Sequence, residues 1–347
     1  MVLRWWCAAL GLCVLGCSDP GGDGSTLAEE TGSTPTTSGV PMSTSGASTS
    51  GVTTGEVDTS SDTTDAENFD LSPIPDASIA QGCEAVDFLF VIDDSSSMAE
   101  HQQNLVENFP AFIEGIESTL GGVETYQVGV IATDAYPYNP GPCILMGALV
   151  TSTEDGGPDA SNMVCGPYAE GFNYMTQEDD LEAAFSCAAQ VGTMGNGFER
   201  PMEAMVEAVS KTHGDPGECN EGFLRDDALL VIVVITDEYD GEGDPEAANP
   251  TREPATSIGT PQTWYDAVLE AKGGHEENAV ALGLLNYDDG PCPPADLGHD
   301  GRNIVEWVEH FGENGFLGGL CEEDYAPIFE DAIGVIEEAC ANFVPTG

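Results

Sequence analysis

Four short runs of almost uninterrupted apolar residues constrain this chain most: "VDFLFVI" (86–92), "YQVGVIAT" (126–133), "ALLVIVVI" (228–235) and "AVALGLL" (279–285). They are rich in β-branched residues and too short for helices spanning a core. Such runs are expected of strands buried on both faces, which is the situation of a parallel sheet covered by helices. The segments between them supply those helices. Leu105, Phe109, Phe112 and Ile116 recur at helical spacing, as do Leu181, Phe185 and Ala188, and then Met202, Met205, Val206 and Val209. A last stripe, Ile328, Ile333, Ile336 and Cys340, closes the pattern. Pro110 falls inside the first stripe and is expected to kink or divide that helix. The fold class is therefore α/β, a doubly wound and mostly parallel sheet flanked by helices, occupying 83–347 as one domain.

Two stretches interrupt the alternation. Residues 134–177 and 238–260 are rich in Gly, Pro, Asn and Asp with little periodicity, and are read as long inserted loops, the kind usually retained for function or held by cross-links. Eight cysteines follow position 80, an even number that implies four disulfides in an oxidising compartment. Cys83 and Cys340 bracket the domain and are the expected pair; Cys143 and Cys165 are placed to staple the first inserted loop. No CxxC and no Cys/His pattern has the spacing of a zinc site.

Before Cys83 the composition is different. Arg4 precedes an apolar run, Trp5 to Gly16, that is too short to span a bilayer and reads as a secretory signal over 1–17. Its end, Val14-Leu15-Gly16-Cys17, resembles the lipobox of bacterial lipoproteins. That resemblance implies lipidation at Cys17, and Ser18 after it implies delivery to the outer membrane or cell surface; an ordinary cleaved signal with free secretion is the alternative. Residues 18–82 are dominated by Ser, Thr, Gly and Pro and lack the apolar residues for a core. As a flexible coil such a segment reaches roughly 40–50 Å, enough to hold a folded head off a membrane. A glycosylated stalk and a plain spacer fit this composition equally.

Charge excludes one class of partner. Asp and Glu number 62 against 7 Lys and Arg, and no basic residue lies between Arg4 and Arg200. Such a chain repels nucleic acid and anionic lipid, so membrane contact is expected only through the lipid anchor.

The chemistry is concentrated after two of the strands. In a parallel sheet every strand delivers its following loop to the same edge, where doubly wound folds bind ligands. Asp93, Ser95 and Ser97 follow the first strand in "FVIDDSSSM", and Asp237 follows the most apolar strand in "VVITDEYD". Carboxylates with several hydroxyls are hard oxygen donors suited to Mg²⁺, or to Mn²⁺ or Ca²⁺. This D-x-S-x-S, with a later strand-end aspartate, resembles the metal-ion-dependent adhesion site of von Willebrand factor type A (vWA) domains. The resemblance implies a threonine as further ligand. Thr193, in the glycine-rich turn of "VGTMGNGFERPMEA", is the better-placed candidate and Thr133 the competing one. It also implies an ion that keeps one position for an acidic group on a protein or polymer partner. The signal, the tether and "GFERP" look like secreted lipoproteins of myxobacterial type. Asp94, Glu238 and Asp240 add negative charge near the expected ion, and Asp134, Tyr136 and Tyr138 leave the same edge; Asp94, Asp134, Tyr136, Glu238 and Asp240 are the expected ligand face.

Other chemistry has weaker support. None of His101, His213, His275, His299 and His310 stands in a recognisable pattern with a serine nucleophile. Neither GxxxxGK[ST] nor HExxH occurs. The acidic loops "DGEGDPEAAN" and "DDGPCPPADLGHDG" lack the EF-hand register. The expected function is thus a surface-tethered binding module without turnover. The alternatives are a metal-assisted hydrolase of surface polymers with Asp93 or Asp237 as general base, and a structural lipoprotein with a vestigial site.

Overall fold

In the computed structural model the four apolar runs lie side by side as the centre of a six-stranded sheet. The structure describes residues 82–119, 123–195, 199–240, 256–294 and 299–346. These belong to the second of two units into which the chain divides, Leu71–Gly347. The signal over 1–17, Cys17, nearly all of the 18–82 linker and most of the second inserted loop lie outside the described residues. Among the described residues no helix is long and apolar enough to cross a membrane.

The strands are β1 (Ala85–Ile92), β2 (Thr125–Ala132), β3 (Met175–Thr176), β4 (Leu229–Ile235), β5 (Ala279–Leu285) and β6 (Gly315–Gly319). Their order is β3-β2-β1-β4-β5-β6, parallel throughout except for the short antiparallel edge strand β3. The expected α/β class is therefore correct. Two strands were not anticipated. β3 contributes only two residues, and β6, "GFLGG", carries three glycines that hide its strand character.

Helices cover both faces. On one side pack α1 (Ala99–Thr119), α2 (Leu181–Ala189) and α7 (Ala326–Asn342), and on the other α3 (Pro201–Val209), α5 (Pro261–Ala271) and α6 (Arg302–Glu309); a short α4 (Lys211–Gly214) follows α3. Alternation along β1 feeds the two cores: Phe88, Phe90 and Ile92 face α1 and α7, while Leu89 and Val91 face α3 and α5. Phe109 stacks on Phe185 with ring centroids 3.5 Å apart, and Phe90 meets Phe185 edge-on. This packing explains why Pro110 does not divide α1, which runs unbroken through it. Phe109 and Phe112 on either side are fully buried and hold the helix against the sheet despite the lost hydrogen bond.

Four disulfides form among the described residues. Cys83–Cys340 ties the first strand to the last helix, as expected. Cys143 and Cys165 do staple the 134–177 loop, the former to Cys219 and the latter to Cys187 at the end of α2. Cys292–Cys321 joins the loops after β5 and β6.

Candidate functional site

The order of the strands reverses its direction of growth between β1 and β4, which pair directly up to Ile92↔Ile235. The crevice at the carboxyl ends of two such strands is where open α/β sheets place ligands. Pairing continues one residue further, the Asp93 amide donating to the Ile235 carbonyl at 3.1 Å. Asp93 and Asp237 are thus delivered to the same rim by adjacent strands.

Hydrogen bonds then fix the side chains. Asp93 accepts the Ser95 amide on Oδ1 at 2.7 Å and the Thr236 hydroxyl on Oδ2 at 2.5 Å. Ser97 donates to Asp237 Oδ1 at 3.0 Å, and its Oγ lies 3.2 Å from that of Ser95. Asp93, Ser95 and Asp237 are buried while Ser97 is exposed, so the string of oxygens opens to solvent at one end. Met98, fully buried, anchors the turn that starts α1. One turn on, Gln102 acts as a clamp: its Nε2 donates to the carbonyls of Asp93 and Gly192, both at 2.8 Å, and its Oε1 accepts the Gly192 amide. Gln102 was not anticipated, because its role depends on a backbone 90 residues away.

Thr193 does not join this string. Its hydroxyl donates to Asp159 Oδ2 at 3.0 Å, on the inserted loop that Cys165–Cys187 ties to α2. Thr133, the competing candidate, is buried at the end of β2 and faces two carboxylates, Asp94 (Oδ1 at 3.2 Å) and Glu199. Glu199 was missed altogether: a single acid in an acid-rich chain carries no signal, although it stands in the "GFERP" stretch singled out above.

The expected ligand face needs correction at three positions, Asp94, Tyr136 and Asp240, all of them buried. Tyr136 is buried, its hydroxyl donating to the Val191 carbonyl, so it supports the loop from within. Asp240 is fully buried and accepts from the Met202 amide, which caps α3, and from the Ser257 amide and hydroxyl. Asp94 is likewise buried, whereas Asp134, Tyr138 and Glu238 are half-buried.

Electrostatically the site is an accumulation of acids, and among the described residues no ion pair of an arginine or lysine reaches Asp93, Asp94, Glu199 or Asp237. Burial, reinforced by Asp237, pushes the Asp93 carboxyl up to about 7. Burial together with Asp134 and Asp93 holds Asp94 well above the usual carboxylate range, and burial with Asp93 and Asp94 pushes Glu199 up to about 10. Among the described residues the ion pairs of arginine lie elsewhere, Arg200 with Glu203, Arg225 with Asp87 and Arg302 with Asp300. Among the same residues no three acidic, histidine or cysteine side chains are grouped as a metal cage. The donor set around Asp93 is instead two carboxylates and two hydroxyls, hard oxygen donors that suit a hard divalent cation.

No family model matches the sequence, and no curated protein does. Solved structures with some likeness include proximal thread matrix protein 1 from the mussel byssus, 14% identical over 74% of this chain and 49% of that one, with a TM-score of 0.36. The same mussel protein with a zinc-occupied MIDAS motif gives 12% identity, 73% and 48% coverage and a TM-score of 0.34. The pilus adhesin SpaC of Lactobacillus rhamnosus GG gives 15% identity, 75% and 30% coverage and a TM-score of 0.37. The chain thus matches about half the length of the mussel protein and under a third of the adhesin.

Proposed function

We propose that this chain is a binding module of the vWA kind, in which Asp93, Ser95, Ser97 and Asp237 hold a divalent cation, Mg²⁺ or a similar hard ion, at the rim of the sheet. The observation that carries the reading is the hydrogen bond from Ser97 to Asp237, which gathers the donors of two adjacent strand ends into one solvent-open string. When bound, the ion supplies a positive point charge with a coordination position open to a partner's carboxylate. The protein's own part is to hold the oxygens in place: Thr236 and the Ser95 amide orient Asp93, and Gln102 fixes the backbone behind it.

Acidic surroundings favour a cation. A cleft of about 590 Å³ runs along the start of α1, and Glu100, Glu107, Asp159, Glu322 and Glu323 line it. The walls of this cleft repel an acidic partner, and a cation held nearby by the string of oxygens offsets that repulsion. Catalysis by a serine has less support. The hydroxyl of Ser97 is engaged by Ser95 and Asp237, and His101 Nδ1 lies 3.3 Å from the Tyr325 hydroxyl. In this reading the head binds and does not turn over, and Cys17 with the 18–82 segment tethers it at the cell surface, in keeping with four disulfides.

The test is retention of the full chain on a surface bearing carboxylates, compared with the same surface as methyl esters. Retention in Mg²⁺ that is lost with chelator, with esterification and in Ser97→Ala supports the proposal. Retention indifferent to all three overturns it.

A further inference from the structure

Behind the string of oxygens lies a second group of carboxylates that the proposed module does not use. Asp94, Thr133 and Glu199 are 1%, 0% and 4% exposed. They come from three places, the turn after β1, the end of β2 and the segment entering α3. The Arg200 amide donates to the Thr133 carbonyl at 3.0 Å and holds the third beside the second. The Gly195 amide donates to the Asp94 carbonyl at 2.9 Å, and a Cβ at Gly195 would meet Asp94 Cγ at 2.5 Å, so the backbone closes directly over this carboxylate.

The hydrogen-bond supply is deficient. Thr133 has one hydroxyl proton and faces both Asp94 Oδ1 and Glu199 Oε2. The other oxygens, Asp94 Oδ2 and Glu199 Oε1, are buried without a hydrogen-bond partner. Burying an unpaired carboxylate costs several kcal/mol, roughly, so such groups are retained where something neutralises them. No arginine or lysine pairs with either residue among the described ion pairs.

We propose that Asp94, Thr133 and Glu199 form a second, inner cation site that takes one hard divalent ion, with Asp94 Oδ2 and Glu199 Oε1 as its charged ligands and Thr133 Oγ1 as a neutral one. Two carboxylates neutralise such an ion, which suits it to a structural role, in contrast to the outer ion with its open position. The inner site does not rest on the adhesive reading, since none of its three residues belongs to the outer string.

Its test is the number of ions held by the full chain after equilibrium dialysis at micromolar free Mn²⁺ or Ca²⁺ in physiological salt, conditions under which scattered surface acids bind weakly. With both sites present the parent holds two equivalents, Ser97→Ala one, and Glu199→Gln one. The double variant Ser97→Ala/Glu199→Gln holds none. If only the inner site exists, the parent and Ser97→Ala hold one and Glu199→Gln none, so the outer proposal fails alone. If Ser97→Ala holds none, or Glu199→Gln matches the parent, the buried acids share a proton and the inner site is overturned. Glu199→Gln keeps the shape of the carboxyl, so its melting temperature in chelator should not fall below that of the parent; damage to the fold would lower it. Thr133→Val keeps the shape of the site without its hydroxyl and should weaken the inner ion about tenfold or more; an unchanged affinity contradicts its assignment as a ligand.

Discussion

Ser97 donates its hydroxyl to Asp237 across 3.0 Å, joining two residues 140 positions apart in the chain. Adjacent parallel strands bring them there, β1 delivering one and β4 the other. With Asp237 near Asp93 and no cationic partner for either among the described ion pairs, this contact gathers negative charge in the ion-free protein. Asp237→Asn should therefore leave stability in chelator unchanged or slightly raised while weakening cation binding at least tenfold. Calorimetric titration with Mg²⁺ alongside denaturant unfolding in chelator checks both halves.

Thr193 is predicted to be dispensable for the ion. Its hydroxyl is spent on Asp159, so Thr193→Val should leave Mg²⁺ affinity within about twofold of the parent, against a loss of tenfold or more expected for a lost ligand. The same titration decides between them.

A pH effect is expected far from the rim. Asp87 is fully buried near the start of β1, and burial outweighs the pull of Arg225 to push its carboxyl up to about 6. The folded state therefore binds a proton between pH 3.8 and about 6 that the unfolded chain has released. Its contribution to stability is full below the unfolded value and is lost as pH rises through the folded one, a change of about 3 kcal/mol. Parent minus Asp87→Asn stability, from denaturant unfolding at pH 4 to 7, should fall by that order across the window.

Removing the Cys83–Cys340 bridge by a paired Cys→Ser change opens the longest closed loop, with a sequence separation of 257. The expected loss is about 2–5 kcal/mol, read from denaturant midpoints with the other disulfides intact.

What the sequence disclosed followed from continuity and sheet geometry. β1, β2, β4 and β5 are unbroken apolar runs, and once they are parallel the meeting of Asp93 with Asp237 follows. β6 stayed hidden because its glycines carry no apolar signal. Thr193 was misplaced for a conformational reason: Gly192 turns the backbone at φ +88°, and Asp159 arrives from an inserted loop whose course depends on disulfide pairing. Glu199 was invisible because it is seated by its neighbour, the Arg200 amide donating to the Thr133 carbonyl, a relationship without a local pattern.

Thermal unfolding of the full chain in Mg²⁺ and in chelator, for the parent and for Asp93→Ala, bears most directly on the metal site at the rim. At a free-ion concentration a hundred times the dissociation constant, binding stabilises by about 2.7 kcal/mol, a rise of roughly 5–10 °C for a domain of this size. That rise should be clearly larger in the parent than in Asp93→Ala, which keeps only what the inner ion contributes. An equal rise in both proteins, or none in the parent, would contradict a cation held by Asp93.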